Sequence, residues 1–399
     1  MLIAINKEAI HDAILSIGAH PASVPIFERK AAIEPLKLLQ VRTPAANVIK
    51  QEMLGVGGDA VTPVGCIVNK DKYCDILLLG TRKHYALLAA KLKLMNFFGM
   101  LQISEELEQY LAVKTPVTIL RDGRTLSYEK MRVMGILNVT PDSFYAGSRL
   151  SDMDAAVKRA EQMLSEGADV LDIGGESTRP GSEAVGAREE EARVVPVIKA
   201  IRQKLPEAVL SIDTWHASVA KAALESGADL VNDITAMTGD AAMANVVEHY
   251  KAPVVLMHMR GTPKDMQTQC TYKNVVDEVA SYLKERATFA ESLGLDSTKI
   301  ILDPGIGFAK TVEQNLALMR DLQALVGLGY PVLLAASRKS TIGAVLGNLP
   351  TEERLEGTLA TSLQAVYAGA QLVRVHDVKE NVRAIRMLEA IINSTTSAV

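Results

Sequence analysis

The sequence predicts an α/β fold, a (β/α)8 barrel preceded by a small N-terminal α/β domain, and three observations carry that prediction. From Val133 onward, eight short runs rich in Val, Ile and Leu are each followed by a helix-like stretch. The phrase Gly-Ala-Asp recurs at Gly167-Ala168-Asp169 and Gly227-Ala228-Asp229, with Gly369-Ala370-Gln371 a near copy. In each copy a left-handed Gly closes one helix and the next strand opens at once. Third, nearly every strand candidate ends in a polar residue. Eight strand–helix units over about 260 residues are the count and length of such a barrel. A doubly wound open sheet usually has fewer strands, and no Gly-rich dinucleotide fingerprint follows the first one.

Taken in order, residues 1–114 mix short apolar runs with helical patterns: Ala31–Val41, Asn47–Leu54, the buried-strand pattern Asp75–Gly80, and Tyr85–Leu94. Gly57-Gly58-Asp59 is turn chemistry. Arg82, Lys83, His84 and Lys91 read as a solvated helix face rather than an anion site. Residues 115–130 then form a hairpin that caps the barrel: Val117–Leu120 and Thr125–Tyr128 flank Asp122-Gly123, which supports a tight primed turn. In the barrel, residues 131–399, the strand candidates are Val133–Asn138, Asp169–Gly174, Val209–Asp213, Leu230–Ile234, Pro253–His258, Ile300–Pro304, Pro331–Ser337 and Leu372–His376. They are too short for core helices and are bounded by Gly, Asp or Pro. Asp154–Ser165 and Thr214–Leu224 are typical of the helices between them.

Composition narrows the function. With 399 residues, 48% hydrophobic and 23% charged, the chain buries a full core. A net charge of -4 argues against a nucleic-acid partner. No apolar run approaches the roughly 18–20 residues that span a bilayer, so no membrane role is expected. Lys7, Glu8, His11 and Asp12 do not form a signal peptide, and the expected location is cytoplasmic. Cys66, Cys74 and Cys270 are too widely spaced for a disulfide framework or a metal-ligand pair, and read as inert thiols.

Barrel chemistry lies at the C-terminal strand ends. There stand Asn138, Asp172, Asp213, Asn232 with Asp233, His258, Asp303, Ser337-Arg338-Lys339, and Arg374 with His376. Singly, each has a structural explanation; Asp213, for example, is placed to cap a helix starting at Trp215. Together they form two chemical corners. Arg374 and His376, two apart on one strand, face one side with Asn138 and suit phosphate oxygens. Asp213, Asn232, Asp303 and Lys339 suit a flat heterocycle with donors and acceptors on its edge. An amide oxygen with bound phosphates suffices for Mg2+, which keeps several waters. His258, on an apolar strand, reads as a packed side chain rather than a base.

Met134-Gly-Ile-Leu-Asn-Val-Thr-Pro-Asp-Ser-Phe144 resembles the first-strand and first-loop motif of the dihydropteroate synthase family. Asp172-Ile-Gly-Gly-Glu-Ser-Thr-Arg-Pro-Gly181 resembles its second-loop motif. Ser211-Ile-Asp-Thr214, Asn232-Asp-Ile234, Leu256-Met-His-Met259, Leu302-Asp-Pro-Gly305, Ser337-Arg-Lys-Ser340 and Arg374-Val-His-Asp377 resemble the rest, in order. The resemblance covers about residues 130–392. It implies condensation of p-aminobenzoate with 6-hydroxymethyl-7,8-dihydropterin pyrophosphate, giving 7,8-dihydropteroate and pyrophosphate in folate synthesis. By motif, Asp213, Asn232, Asp303 and Lys339 would hold the pterin, flanked by Met257 and Phe308. Asn138, Arg374 and His376 would hold pyrophosphate with Mg2+, Asn138 being the metal ligand. Phe144, Thr178, Arg179, Pro180 and Ser340 would form the p-aminobenzoate pocket. Asp213, Lys339, Arg374 and His376 would be the catalytic set in a dissociative substitution.

The resemblance further implies a homodimer paired through outer helices, and a target for sulfonamides. Long family members share an extension like residues 1–114, for which the sequence offers no catalytic motif. The chain departs from the family at Tyr145-Ala146-Gly147-Ser148, where Ser-Asp-Gly-Gly is usual, and at Ile306 and Ala335, where an aromatic and Gly are common. These departures bear on loop closure, rate and drug binding. Two other readings share the barrel. A methyltetrahydrofolate–corrinoid methyltransferase would not need Ser177-Thr178-Arg179-Pro180 or Ser337-Arg338-Lys339-Ser340. An inactive pterin-binding paralogue would not need Asn138, Arg374 and His376.

Overall fold

The computed structural model describes residues 5, 9–112, 115–139, 149–176, 185–262 and 264–394. The chain divides into two compact units, one of residues 1–114 with the last residues from Ile391, the other Thr115–Ala390.

In the first unit, α1 (Ile10–Ser16) and α2 (Val24–Ala31) precede β1 (Glu34–Arg42), α3 (Thr43–Val56), β2 (Asp59–Val61), β3 (Tyr73–Gly80), α4 (Arg82–Leu92) and α5 (Met100–Leu111). The three strands form an antiparallel sheet in the order β1-β3-β2. Ile49, Met53, Leu78, Tyr85, Leu88 and Leu92 bury the apolar faces of sheet and helices together. Gly57 ends α3 with φ +92°, the left-handed geometry that glycine adopts without strain. Three of the four basic residues of α4 are tied down locally. Arg82 donates to the Leu111 carbonyl and pairs with Glu34, Lys91 pairs with Glu52, and His84 joins a capping box with Thr81. They do not converge on an anion site.

The second unit opens with a hairpin of β4 (Val117–Ile119) and β5 (Thr125–Ser127). Its turn is not the tight primed turn expected from Asp122-Gly123. Positive φ occurs at Gly123 alone, and the Leu120 N–H bonds the Arg124 carbonyl, so three residues, Arg121 to Gly123, turn the chain where a primed turn has two. Eight parallel strands follow: β6 (Arg132–Asn138), β7 (Val170–Gly174), β8 (Leu210–Asp213), β9 (Leu230–Asp233), β10 (Val254–Met257), β11 (Ile300–Asp303), β12 (Leu333–Leu334) and β13 (Leu372–Val375). They pair in the order β11-β10-β9-β8-β7-β6-β13-β12, and a parallel bridge between Leu302 and Val332 closes the ring.

The intervening helices are α6 (Arg149–Ser165), α7 (Ala187–Lys204), α8 (Ala217–Glu225), α9 (Met243–Tyr250) and α10 (Val275–Ser292). They continue as α11 (Val312–Arg320), α12 (Gln323–Val326), α13 (Ser340–Val345), α14 (Leu355–Tyr367) and α15 (Val378–Ile392). Gly167, Gly227 and Gly369 all have positive φ, as the Gly-Ala-Asp repeat requires. The seventh strand is far shorter than Pro331–Ser337, because Gln371 takes the Val332 N–H with its side-chain oxygen at 2.8 Å and the chain turns after Leu334. Nor does a helix begin at Trp215. α8 starts at Ala217 with His216 as its cap, which releases Asp213 for other work.

The hairpin closes the floor of the barrel. Leu120, Leu126 and Tyr128 pack on Met134, Val170, Leu230, Val255, Ile301, Leu333 and Leu372, the lowest inward layer of the strands. Among the described residues, no helix is long and apolar enough to cross a membrane. Leu126→Ala should leave a cavity in this floor and lower stability by about 2–4 kcal/mol, read from urea-unfolding midpoints.

Candidate functional site

Strand register sets the mouth of the barrel. Asn138, Gly174, Asp213 and Asn232 are successive neighbours across β6, β7, β8 and β9. Gly174 has no side chain between Asn138 and Asp213; a Cβ there would lie 3.5 Å from the Asp213 Cβ. Two residues earlier on β7, Asp172 faces the same interior, fully buried.

The two corners expected from sequence are joined at their centre. Arg374 on β13 reaches across, donating from Nε to Asp172 at 2.5 Å and from Nη2 to Asp213 at 2.6 Å. Asn232 donates to the same Asp172 oxygen at 3.0 Å. The other Asp172 oxygen, Oδ1, is buried without a hydrogen-bond partner. Asp172 therefore anchors a phosphate-corner residue and a heterocycle-corner residue at once. Sequence reading noted it as a polar strand end and gave it no role; the signal was its position two residues before a glycine on an inward face.

Electrostatics follow from this burial. Burial pushes the Asp213 carboxyl up to about 7; the Arg374 guanidinium opposes the rise and the charge of Asp172 adds to it. For Arg374, burial works against the charge, yet the carboxylates of Asp172 and Asp213 hold its pKa above the ordinary arginine value. Burial brings Lys339 down to about 8 against the pull of Asp303. Asp303 is raised by burial, with Lys339 opposing.

On the far side, Asp303 ends β11 and accepts the Gly305 N–H at 2.7 Å. Lys339 caps α13, donates to the Ile306 carbonyl, and lies 4.7 Å over the Phe308 ring. Phe308 and Met257 pack in one apolar cluster with Ile234, Met266 and Ala309. The Nδ1 of His376 is 3.0 Å from the hydroxyl of Ser337, whose oxygen also accepts the His376 N–H. Asn138 and Ser340 are exposed. Phe144, Thr178, Arg179, Pro180 and the Tyr145–Ser148 departure lie outside the described residues.

Other polar strand ends are structural. Asp233 accepts from the Thr235 and Met237 amides and the Thr235 hydroxyl. Arg338 makes a two-pronged pair with Asp377, both bonds 2.7 Å. His258 is packed, its pKa lowered to about 3 by burial and by the nearby Lys310 charge. Glu190, fully buried at the start of α7, accepts from Thr214 at 3.0 Å and contacts His216 Nδ1 at 2.8 Å. With Glu176 it brings three potential ligand atoms within 4.8 Å, a grouping that the spacing of these residues in sequence did not reveal.

Removing Arg374 would leave two buried carboxylates facing each other. Arg374→Met should therefore cost about 3–5 kcal/mol in urea unfolding at neutral pH.

Residues 134–376 match the family described as Pterin binding enzyme. The dihydropteroate synthase of Clostridium beijerinckii is 49% identical over 265 residues, 66% of this chain and 95% of that protein. A Helicobacter pylori protein named bifunctional dihydropteroate synthase/dihydropteroate reductase is 35% identical over 389 residues, 97% of this chain and 98% of that one. Among solved structures, Xanthomonas albilineans dihydropteroate synthase with 4-aminobenzoic acid is similar, with a TM-score of 0.65 and 41% identity. It covers 70% of this chain and 100% of its own.

Proposed function

The chain belongs to the dihydropteroate synthases, pterin-binding transferases of folate biosynthesis, and on that premise we propose how its residues perform the reaction. The reaction joins p-aminobenzoate to 6-hydroxymethyl-7,8-dihydropterin pyrophosphate, yielding 7,8-dihydropteroate and pyrophosphate. Asp213 and Asp303 accept from the pterin edge, Asn232 accepts from and donates to it, and Lys339 donates to its carbonyl oxygen. Met257 and Phe308 flank the ring. Arg374 and His376 hold the pyrophosphate. Ser340, with Phe144, Thr178, Arg179 and Pro180, receives p-aminobenzoate.

The bond from the pterin methylene to oxygen breaks first, its electron pair leaving with pyrophosphate. The p-aminobenzoate nitrogen then supplies the pair for the new C–N bond and loses a proton. The observation that carries this reading is the Asp172–Arg374–Asp213 contact. On this reading the Asp213 carboxylate would lie beside the atom that becomes cationic and the Arg374 guanidinium beside the group that becomes anionic, and fixed charges of this kind favour the transition state. The exposed amide oxygen of Asn138 at the strand end is a hard, neutral donor suited to Mg2+, and Asn138 would hold the ion there. When bound, Mg2+ would supply neutralising charge for pyrophosphate. We further propose a cytoplasmic homodimer.

One observation favours an added activity. The relative that matches nearly the whole chain carries the name of a dihydropteroate reductase as well, whereas the Clostridium synthase matches only 66% of the chain. Incubating the purified protein with dihydropteroate and a reduced nicotinamide or flavin, and following loss of the dihydro form, tests it.

The synthase reading is tested by pyrophosphate release with dihydropterin pyrophosphate, p-aminobenzoate and Mg2+, each omitted in turn. Release that requires both organic substrates is expected; pterin binding without p-aminobenzoate-dependent release would overturn the reading and favour an inactive paralogue. The pH profile is a further check. Asp213 must be ionised and Lys339 protonated, so kcat/KM should fall below about pH 7 and again above about pH 8. Asp213→Asn should abolish the acid limb and lower the rate at its maximum.

A further inference from the structure

Lys310 is a lysine buried almost completely, 3% exposed, that the reaction does not use. Its Nζ lies 2.9 Å from the Phe308 carbonyl, 3.0 Å from the Gly305 carbonyl, 3.0 Å from His258 Nδ1 and 3.3 Å from the His258 carbonyl. The residue stands at the end of the segment after β11, yet half of its partners belong to the end of β10. Burying an amine without such acceptors would cost several kcal/mol, so this geometry is a built contact. Charged or neutral, Nζ keeps at least two N–H groups for these acceptors.

The same crossing point is crowded. Gly305 has φ +68°, and a Cβ there would lie 2.0 Å from the His258 carbonyl oxygen. The segment 304–309 thus lies directly on the end of β10, with Lys310 fastening it from beneath. Two further bonds close the segment: Asn315 accepts the Gly307 N–H at 2.8 Å, and Tyr272 donates to the Ala309 carbonyl at 3.0 Å.

What hangs on this segment is the pterin side of the mouth. Asp303 leads into it, the Ile306 carbonyl takes the Lys339 ammonium, and Phe308 lies under that ammonium. We infer that Lys310 is a positioning residue for the pterin: by tying the carbonyls of Gly305 and Phe308 to His258, it holds Asp303, Phe308 and the Lys339 contact in the arrangement that grips the heterocycle. Ser340, the proposed p-aminobenzoate residue among the described ones, is not among the hydrogen-bond partners of Lys310. This inference rests on the synthase reading above.

Steady-state kinetics separate positioning from simple loss of stability. Lys310→Met should raise the KM for dihydropterin pyrophosphate about tenfold or more, equivalent to about 1.4 kcal/mol. The KM for p-aminobenzoate should stay within about twofold, a split that general loosening does not produce. Lys310→Gln, which keeps N–H donors on a shorter arm, should fall between the wild type and Met. It also serves where the Met variant fails to accumulate. Leu283→Ala, in the apolar core of α10, is the control, expected to lower Tm with both KM values unchanged. A pterin KM within twofold of wild type in the Lys310 variants, or both KM values rising together, would overturn the inference. If the wild-type protein makes no dihydropteroate, the synthase reading fails first and takes this one with it.

Discussion

A guanidinium held between two carboxylates inside a closed barrel governs what the rest of the site can be. Arg374 cannot leave Asp172 and Asp213 without exposing two like charges to one another, one of them fully buried. Three strands, β7, β8 and β13, must therefore keep their register to within a fraction of a residue. Gly174 lies between Asn138 and Asp213 in register, and a Cβ there would already be in van der Waals contact with Asp213. In the scheme proposed above, the pterin side and the pyrophosphate side would share one charge network, a physical reason for the carboxylate of Asp213 to respond when the leaving group's charge changes.

Around that centre the loops are pinned singly, each by a buried or half-buried polar contact between neighbouring strand ends. Lys310 ties the segment after β11 to β10, Arg338 ties the turn after β12 to Asp377 beyond β13, and Glu190 ties the root of α7 to Thr214 and His216 after β8. None of the three is a substrate residue in the scheme proposed above. Each uses an ionisable group at a position where an apolar one would pack but not orient. Exposed ion pairs of the same length contribute little to stability; these are buried enough for direction to matter.

Much of this was readable from the sequence, and the reason is the barrel itself. Short parallel strands buried on both sides give near-continuous apolar runs, and the polar residue at each end stands out against them. Asn138, Asp213, Asn232, Asp303, Lys339 and Arg374 were visible in that way. What sequence did not show was pairing at a distance. Asp172 and Arg374 are 202 residues apart, and nothing local in either segment announces the contact. Lys310 follows an Ala in a Gly-rich stretch and looks like an exposed loop lysine. Its role depends on where β10 ends in space. The hairpin turn and the seventh strand were misjudged for a related reason: a side chain elsewhere, or one unexpected φ, redirected hydrogen bonds that local propensity had assigned to the ladder.

The closed floor has one more consequence, for how the chain can assemble. Leu120, Leu126 and Tyr128 come early in their unit, but the surface they cover includes Leu333 on β12 and Leu372 on β13, the last two strands of the ring. A nascent chain carries these three apolar side chains for well over two hundred residues of synthesis before their seat is complete. Contacts this distant in sequence form slowly and leave apolar surface exposed meanwhile. The last strand thus completes two structures at once, the ring and its base, and a chain ending before β13 would have neither.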